Sequence, residues 1–195
     1  MNLQRTAITL VLLLASVLFV PSLAAQTEEM DREHSFFTVH VFKAGVFSAF
    51  GHGHEVRAPL AAGVIREGEP AGVELRVDAR QLKVLDPDLS QKDRAEVQET
   101  MLGPKVLDST RFSEIRFRST AVEKSGADHW QVRGDLTLHG QTRPVVVEVR
   151  RQAGRYLGSA TFKQTAFGIT PFRAAGGTIK VKDEVKVDFD IATRK

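Results

Sequence analysis

An all-β domain, its sheet either closed on itself or folded into a two-layer sandwich, is the fold class this sequence predicts. Three observations predict it. Apolar and polar residues alternate with period two through most of the chain after Ser35, glycines punctuate the intervals, and only Ser90 to Leu102 turns to helix-forming composition. Segments with one apolar face must bury it, and a closed sheet does so while also removing exposed edges.

The elements follow in chain order. Arg5, the apolar run Ala7 to Val20, Pro21 and the small residues Ser22-Leu23-Ala24-Ala25 have the layout of a secretory signal. That run is shorter than the roughly 20 residues a membrane span needs. Residues 1–25 are therefore expected to be removed on export to a periplasmic or secreted location. Residues 26–34 read as a polar, flexible lead-in, and residues 35–195 as one domain. Val73 to Asp78, Ile115 to Arg118, Val145 to Val149 and Val185 to Ile191 alternate strictly; Leu136 to Leu138, Tyr156 to Phe162 and Thr178 to Val181 are weaker strands. Gly126, Gly140, Gly154 and Gly176-Gly177 mark turns. Ser90 and Asp93 resemble a capping box and Gly103-Pro104 a stop, so one helix should lie on the surface or cover an opening.

Composition removes several function classes. The chain has no cysteine, which excludes disulfides and thiolate chemistry. Its net charge is only +3, and the basic residues are dispersed rather than blocked, so no nucleic-acid partner is predicted. No second hydrophobic run suggests a transmembrane span in the mature chain. No nucleophile elbow, paired carboxylates or phosphate loop is present, so the chain is not read as an enzyme and no cofactor is assigned. His52-Gly53-His54 is the most conspicuous local feature, since residues two apart in an extended segment point to one side. A metal would need a third ligand, with His40, His34 and Glu55 as candidates. A solvated Gly-flanked loop and a contact to a ligand head group are the alternatives.

Two longer strings carry a family resemblance. Gly134-Asp135-Leu136-Thr137-Leu138-His139-Gly140-Gln141-Thr142-Arg143-Pro144-Val145 resembles the signature hairpin of the YceI-like family, also described as polyisoprenoid-binding or lipocalin-like. Met101-Leu102 through Phe112-Ser113-Glu114-Ile115-Arg116-Phe117-Arg118-Ser119 resembles its helix-then-strand segment, with Ser113 where the family usually has Pro. Gly158 to Phe162 with Phe167-Gly168-Ile169, and the strand from Val181 to Ala192, extend the likeness from about Ser35 to the C-terminus. The first strand departs, with Lys43 at the family's His position and His40 three residues earlier.

The resemblance implies an extended eight-stranded antiparallel lipocalin-like barrel with one helix packed against it and an apolar interior that takes isoprenoid or fatty-acyl chains. Phe37, Val39, Val41, Leu75, Val77, Phe117, Leu136, Leu138, Phe162 and Phe189 are the expected lining, with His52, His54 and Arg173 near a polar end. A lipid-like small molecule is then the partner, and a homodimer is open. The competing readings are a metal- or haem-associated factor using His40, His52 and His54, and a structural or stress-response partner that binds no ligand.

Overall fold

The computed structural model describes residues 26–44, 53–174 and 179–194. Twelve strands form one antiparallel sheet: β1 (Gln26–Glu29), β2 (Phe36–Ala44), β3 (His54–Pro59), β4 (Ala62–Glu67), β5 (Gly72–Asp78), β6 (Lys83–Val84), β7 (Glu114–Gly126), β8 (His129–Leu138), β9 (Gln141–Gln152), β10 (Arg155–Lys163), β11 (Arg173–Ala174) and β12 (Ile179–Ala192). One helix, α1 (Gln91–Leu102), interrupts them between β6 and β7. Among the described residues no helix is long and apolar enough to cross a membrane.

Eleven of the twelve strands trace eight courses, and β11 is a short addition paired to β12. β1 pairs with β4 while β2 pairs with β3, so β1–β2 and β3–β4 are two long strands, each broken by a kink. β5 and β6 likewise run along β4 and β3 on either side of a short 3-10 turn at Ala79–Gln81. With β7, β8, β9, β10 and β12 these make the eight-stranded antiparallel barrel of the sequence reading. β12 closes the ring by pairing with β10 on one edge and β2 on the other, and a Met30–Thr193 bridge continues that seam. Closure leaves few unpaired backbone groups on the long strands.

Local chemistry explains the tight connections. His139-Gly140 and Ala153-Gly154 all have positive φ, the conformation two-residue hairpin turns require to match strand twist. His139 is partly buried at its turn: its ring centroid lies 4.4 Å from that of Phe112 and its Nδ1 3.2 Å from the Phe167 carbonyl oxygen.

Two further segments differ from expectation. Residues 26–34 are not a flexible lead-in. β1 pairs with β4, and Met30 is buried as an inward plug, which a polar reading of Gln26 to Glu33 overlooks. β3 and β4 were not anticipated, because Pro59 and Gly63 interrupt the alternation that Val56, Ala58 and Ile65 would otherwise display. The expected signal segment, His52 and the Gly176-Gly177 turn lie outside the described residues.

Helix α1 forms where the composition places it. Ser90 Oγ accepts the Asp93 backbone N–H at 3.1 Å and donates to Asp93 Oδ2 at 2.8 Å, a shortened version of the capping box. Val97, Met101 and Leu102 pack on Val56, Ala58, Val77, Leu82 and Val84, so the helix closes one end of the barrel. Gln98 fixes it there. Its Oε1 accepts from Val84 N at 2.8 Å and its Nε2 donates to Leu82 O at 2.7 Å, satisfying the free edge of β6. Replacing Gln98 with Leu strands both backbone groups, and chemical denaturation should show a loss of about 2 kcal/mol. A stability within about 0.5 kcal/mol of wild type would contradict this role.

Candidate functional site

The interior of the barrel is not filled. A cavity of about 680 Å³ runs along the axis, within the size range of sites that hold small ligands. Its walls are the inward residues of every long strand: Val145, Val147 and Val149 from β9, Leu136 and Leu138 from β8, Val185, Val187 and Phe189 from β12. All ten residues that the sequence analysis proposes as lining project into this space.

The hollow has a sequence cause. On β10 the inward positions are Tyr156, Gly158, Ala160 and Phe162, so two small residues occupy its middle. On β8 Gly134 lies between Val132 and Leu136. The rings of Phe117 and Phe189 fold over these glycines instead of reaching across the lumen. Medium-sized Val and Leu side chains on the remaining walls cannot span the gap.

The two ends differ. At the helix end, Leu82, Met101, Val106 and Leu107 close the cavity with apolar side chains. At the opposite end the turns β4–β5, β7–β8 and β9–β10 surround a polar rim of Arg66, Glu67, Glu69, Lys124, Arg151 and Tyr156. Each of Glu67, Lys124, Arg151 and Tyr156 falls on the inward face of its strand, since Lys124 pairs with Trp130 and Tyr156 with Arg151.

A polar bar crosses the lumen at this rim. The Tyr156 hydroxyl donates to Glu67 Oε1, and Arg151 Nη1 approaches the same oxygen at 3.4 Å. The guanidinium also lies over the Tyr156 ring, 5.4 Å from its centroid. β4 and β10 are not neighbours in the sheet, so these contacts tie opposite walls together. Burial pushes the Tyr156 phenol well above its ordinary pKa, and its hydrogen bond to Glu67 and that carboxylate's charge push it further the same way.

A stability consequence follows from that shift. The folded pKa is raised, so the contribution of Tyr156 is fully present below the unfolded value near 10 and is lost as pH rises through the folded one. Tyr156 is the only tyrosine in the chain, so ultraviolet absorbance follows it alone. Phenolate absorbance should stay absent in the folded protein at about pH 10.5, where a free tyrosine is mostly ionised, and should appear on unfolding. Half-ionisation near pH 10 in the folded state would contradict the Glu67 contact.

His40 and His54 do not converge. His40 pairs with Glu55 on the outer surface, where its Nε2 meets Asp188 at 3.0 Å. His54 pairs with Val41 and belongs to the inner row, but at the helix end, where its Nδ1 meets Asp86 at 2.5 Å. Alternation therefore puts the two imidazoles on opposite faces of the sheet. Among the described residues no group of three His, Cys, Asp or Glu side chains is placed to hold a metal ion. Arg173 is exposed on β11, and neither it nor His54 lines the cavity. Both sit at the end away from the polar rim, whose Arg66, Glu67, Glu69, Lys124, Arg151 and Tyr156 the sequence reading does not name.

Comparison with known proteins agrees with this architecture. The family described as YceI-like domain matches residues 29–193. A UPF0312 protein of Vibrio cholerae is 34% identical over 77 residues, which is 40% of this chain and 36% of that protein. A UPF0312 protein of Pseudomonas syringae pv. tomato is 48% identical over 42 residues, 22% of each chain. The matched stretches thus span about a third or less of these relatives. Among solved structures, Burkholderia cenocepacia BcnA superposes with a TM-score of 0.57 at 18% identity, covering 83% of this chain and 98% of that one. A domain from Saccharophagus degradans described as polyisoprenoid-binding gives 0.52 at 14% identity, covering 86% and 97%. At these identities the structures share the fold.

Proposed function

Because the chain belongs to the YceI-like family, we propose that it is a carrier whose barrel encloses the apolar chain of a polyisoprenoid, quinone-like or fatty-acyl lipid. One observation carries the proposal: the roughly 680 Å³ cavity, lined by apolar side chains along its length apart from Gln164 and ringed by charged residues at one end. At roughly 30 Å³ per water-sized group, that space takes on the order of twenty heavy atoms. Burying ten methylenes would contribute about 8 kcal/mol before ordering costs. The structural likeness to a domain described as polyisoprenoid-binding supports the same ligand class.

The lining of the cavity supports a binding role. Away from the rim, the polar side chain lining the cavity among the described residues is Gln164, an amide that donates to the Lys182 carbonyl at 2.8 Å and supplies neither nucleophile nor base. The signal-like N-terminus supports export, and so a periplasmic or secreted carrier.

Organic extraction of purified protein followed by mass spectrometry tests this. A single lipid class should appear at close to one molecule per chain. Protein that is lipid-free after expression and takes up no prenol or fatty alcohol when offered would refute the carrier reading.

A further inference from the structure

The helix end of the cavity carries the reading one step further, and the step rests on the carrier function above. We infer that this end sets the length of chain the barrel encloses, up to about twenty carbons or about four isoprene units, with Met101 and Val106 as the residues that fix the limit.

Apolar side chains make the floor. Leu82, Met101, Val106 and Leu107 form the part beneath α1, and Phe162 and Ile169 line the cavity beside it. Phe162 is backed by the fully buried Phe167, with the two rings edge-on at 5.2 Å between centroids. Hydrogen bonds hold the α1 part in place as well as packing. Gln98 ties the helix to β6, the Leu107 backbone N–H donates to the Met101 carbonyl at 3.1 Å, and Ser109 Oγ donates to the Leu102 carbonyl at 3.0 Å. Met101 and Val106 thus sit on a segment whose course is fixed, and a tail that reaches them meets a stop.

A fixed stop at one end and a charged rim at the other define a length. Each methylene inside the cavity strengthens binding about fourfold. At roughly 30 Å³ per group, about twenty groups fill the space of about 680 Å³. Carbons beyond that number stand at or outside the rim formed by Glu67, Lys124 and Arg151, where they gain no burial. A longer chain is therefore held no more tightly than one that fits. The limit concerns the tail alone and applies whatever the head group.

The test offers the delipidated protein, at limiting concentration, an equimolar mixture of even-numbered straight-chain primary alcohols from dodecanol to hexacosanol, carried on cyclodextrin. Gel filtration, extraction and mass spectrometry then read how much of each alcohol is bound. Recovery should rise from dodecanol to a maximum near eicosanol. It should then fall about threefold or more by hexacosanol, because cyclodextrin still competes for carbons that the protein leaves in water. Met101→Ala removes about three heavy atoms from a floor that collapses only in part, so its maximum should move up by one or two members of the series. Val106→Ala, a smaller truncation, should move it by about one. Recovery that keeps rising to hexacosanol in wild type, or peaks at tetradecanol or shorter, overturns the length limit and leaves the carrier function standing. Binding of none of the alcohols overturns both. A maximum that stays in place in folded Met101→Ala and Val106→Ala overturns the assignment of the stop; should neither variant fold, the wild-type profile alone decides.

Discussion

Gly158→Ala should cost about 3 kcal/mol of stability and lower Tm by roughly 10 °C, a large effect for one methyl group. The reason is geometric and unrelated to backbone dihedrals. A Cβ at Gly158 would stand 2.0 Å from the Glu148 carbonyl oxygen on β9 and 2.5 Å from Cζ of Phe189 on β12. The ring could swing away, but the carbonyl belongs to the paired strand and can retreat only if β9 and β10 part. Gly134 repeats the arrangement on β8, with Phe117 Cζ at 2.5 Å and the Arg118 carbonyl at 2.6 Å. Gly126 is the internal control. Its nearest neighbour would be His129 Cβ at 3.4 Å, and Ala there should change stability by less than about 0.5 kcal/mol. Thermal unfolding of the three Ala variants checks the set. Equal effects at Gly126 and Gly158 would mean that the rings do not lie over the glycines.

Ala160→Phe should weaken binding of a long apolar chain about a hundredfold while leaving the barrel at least as stable as before. Ala160 sits at mid-strand between Val147 and Val187, and all three face the cavity. A phenyl group there occupies the middle of the ligand path and displaces about four methylenes, or some 3 kcal/mol of burial. Because the space is empty, the ring gains contacts instead of forcing its neighbours apart, and the unliganded protein should become about 1 kcal/mol more stable. Calorimetric titration and denaturation of the same variant read the two effects separately. Strong destabilisation would show that the interior is packed. Unchanged affinity would place the ligand outside the barrel.

Much of this arrangement is legible in the sequence, and the exceptions have physical causes. The inward faces of β8, β9 and β12 follow directly from period two. β7 does not keep its period. A bulge between Ser119 and Ala121 moves the inward set from Ile115 and Phe117 to Val122 and Lys124, a change of parity that alternation alone cannot reveal. The polar rim left a fainter trace. Val145, Val147, Val149 and Arg151 form one inward row that ends on a charge, as does the row Gly63, Ile65 and Glu67. A charged residue in phase with an apolar row marks a mouth. The His-Gly-His string attracted attention instead, because its residue types suggest ligands. His54 belongs to the helix end, and its contact with Asp86 depends on a loop 32 residues away in the chain.

The fold also explains why the family strings contain what they do. Gly134 and Gly158 make room for aromatic rings, and His139-Gly140 makes a turn with positive φ at both positions. None of these residues needs to touch a ligand to be required. The hollow is a consequence of the same choices, since small residues on β10 and folded-back rings on β7 and β12 leave the axis free.

Native mass spectrometry of the purified protein mixed with a prenol tests the central claim most directly. An enclosed axial site predicts one bound molecule per chain, saturating at a single adduct in wild type and absent from Ala160→Phe. No adduct, or a series of adducts that grows with concentration and persists in Ala160→Phe, would contradict a barrel that holds its ligand inside.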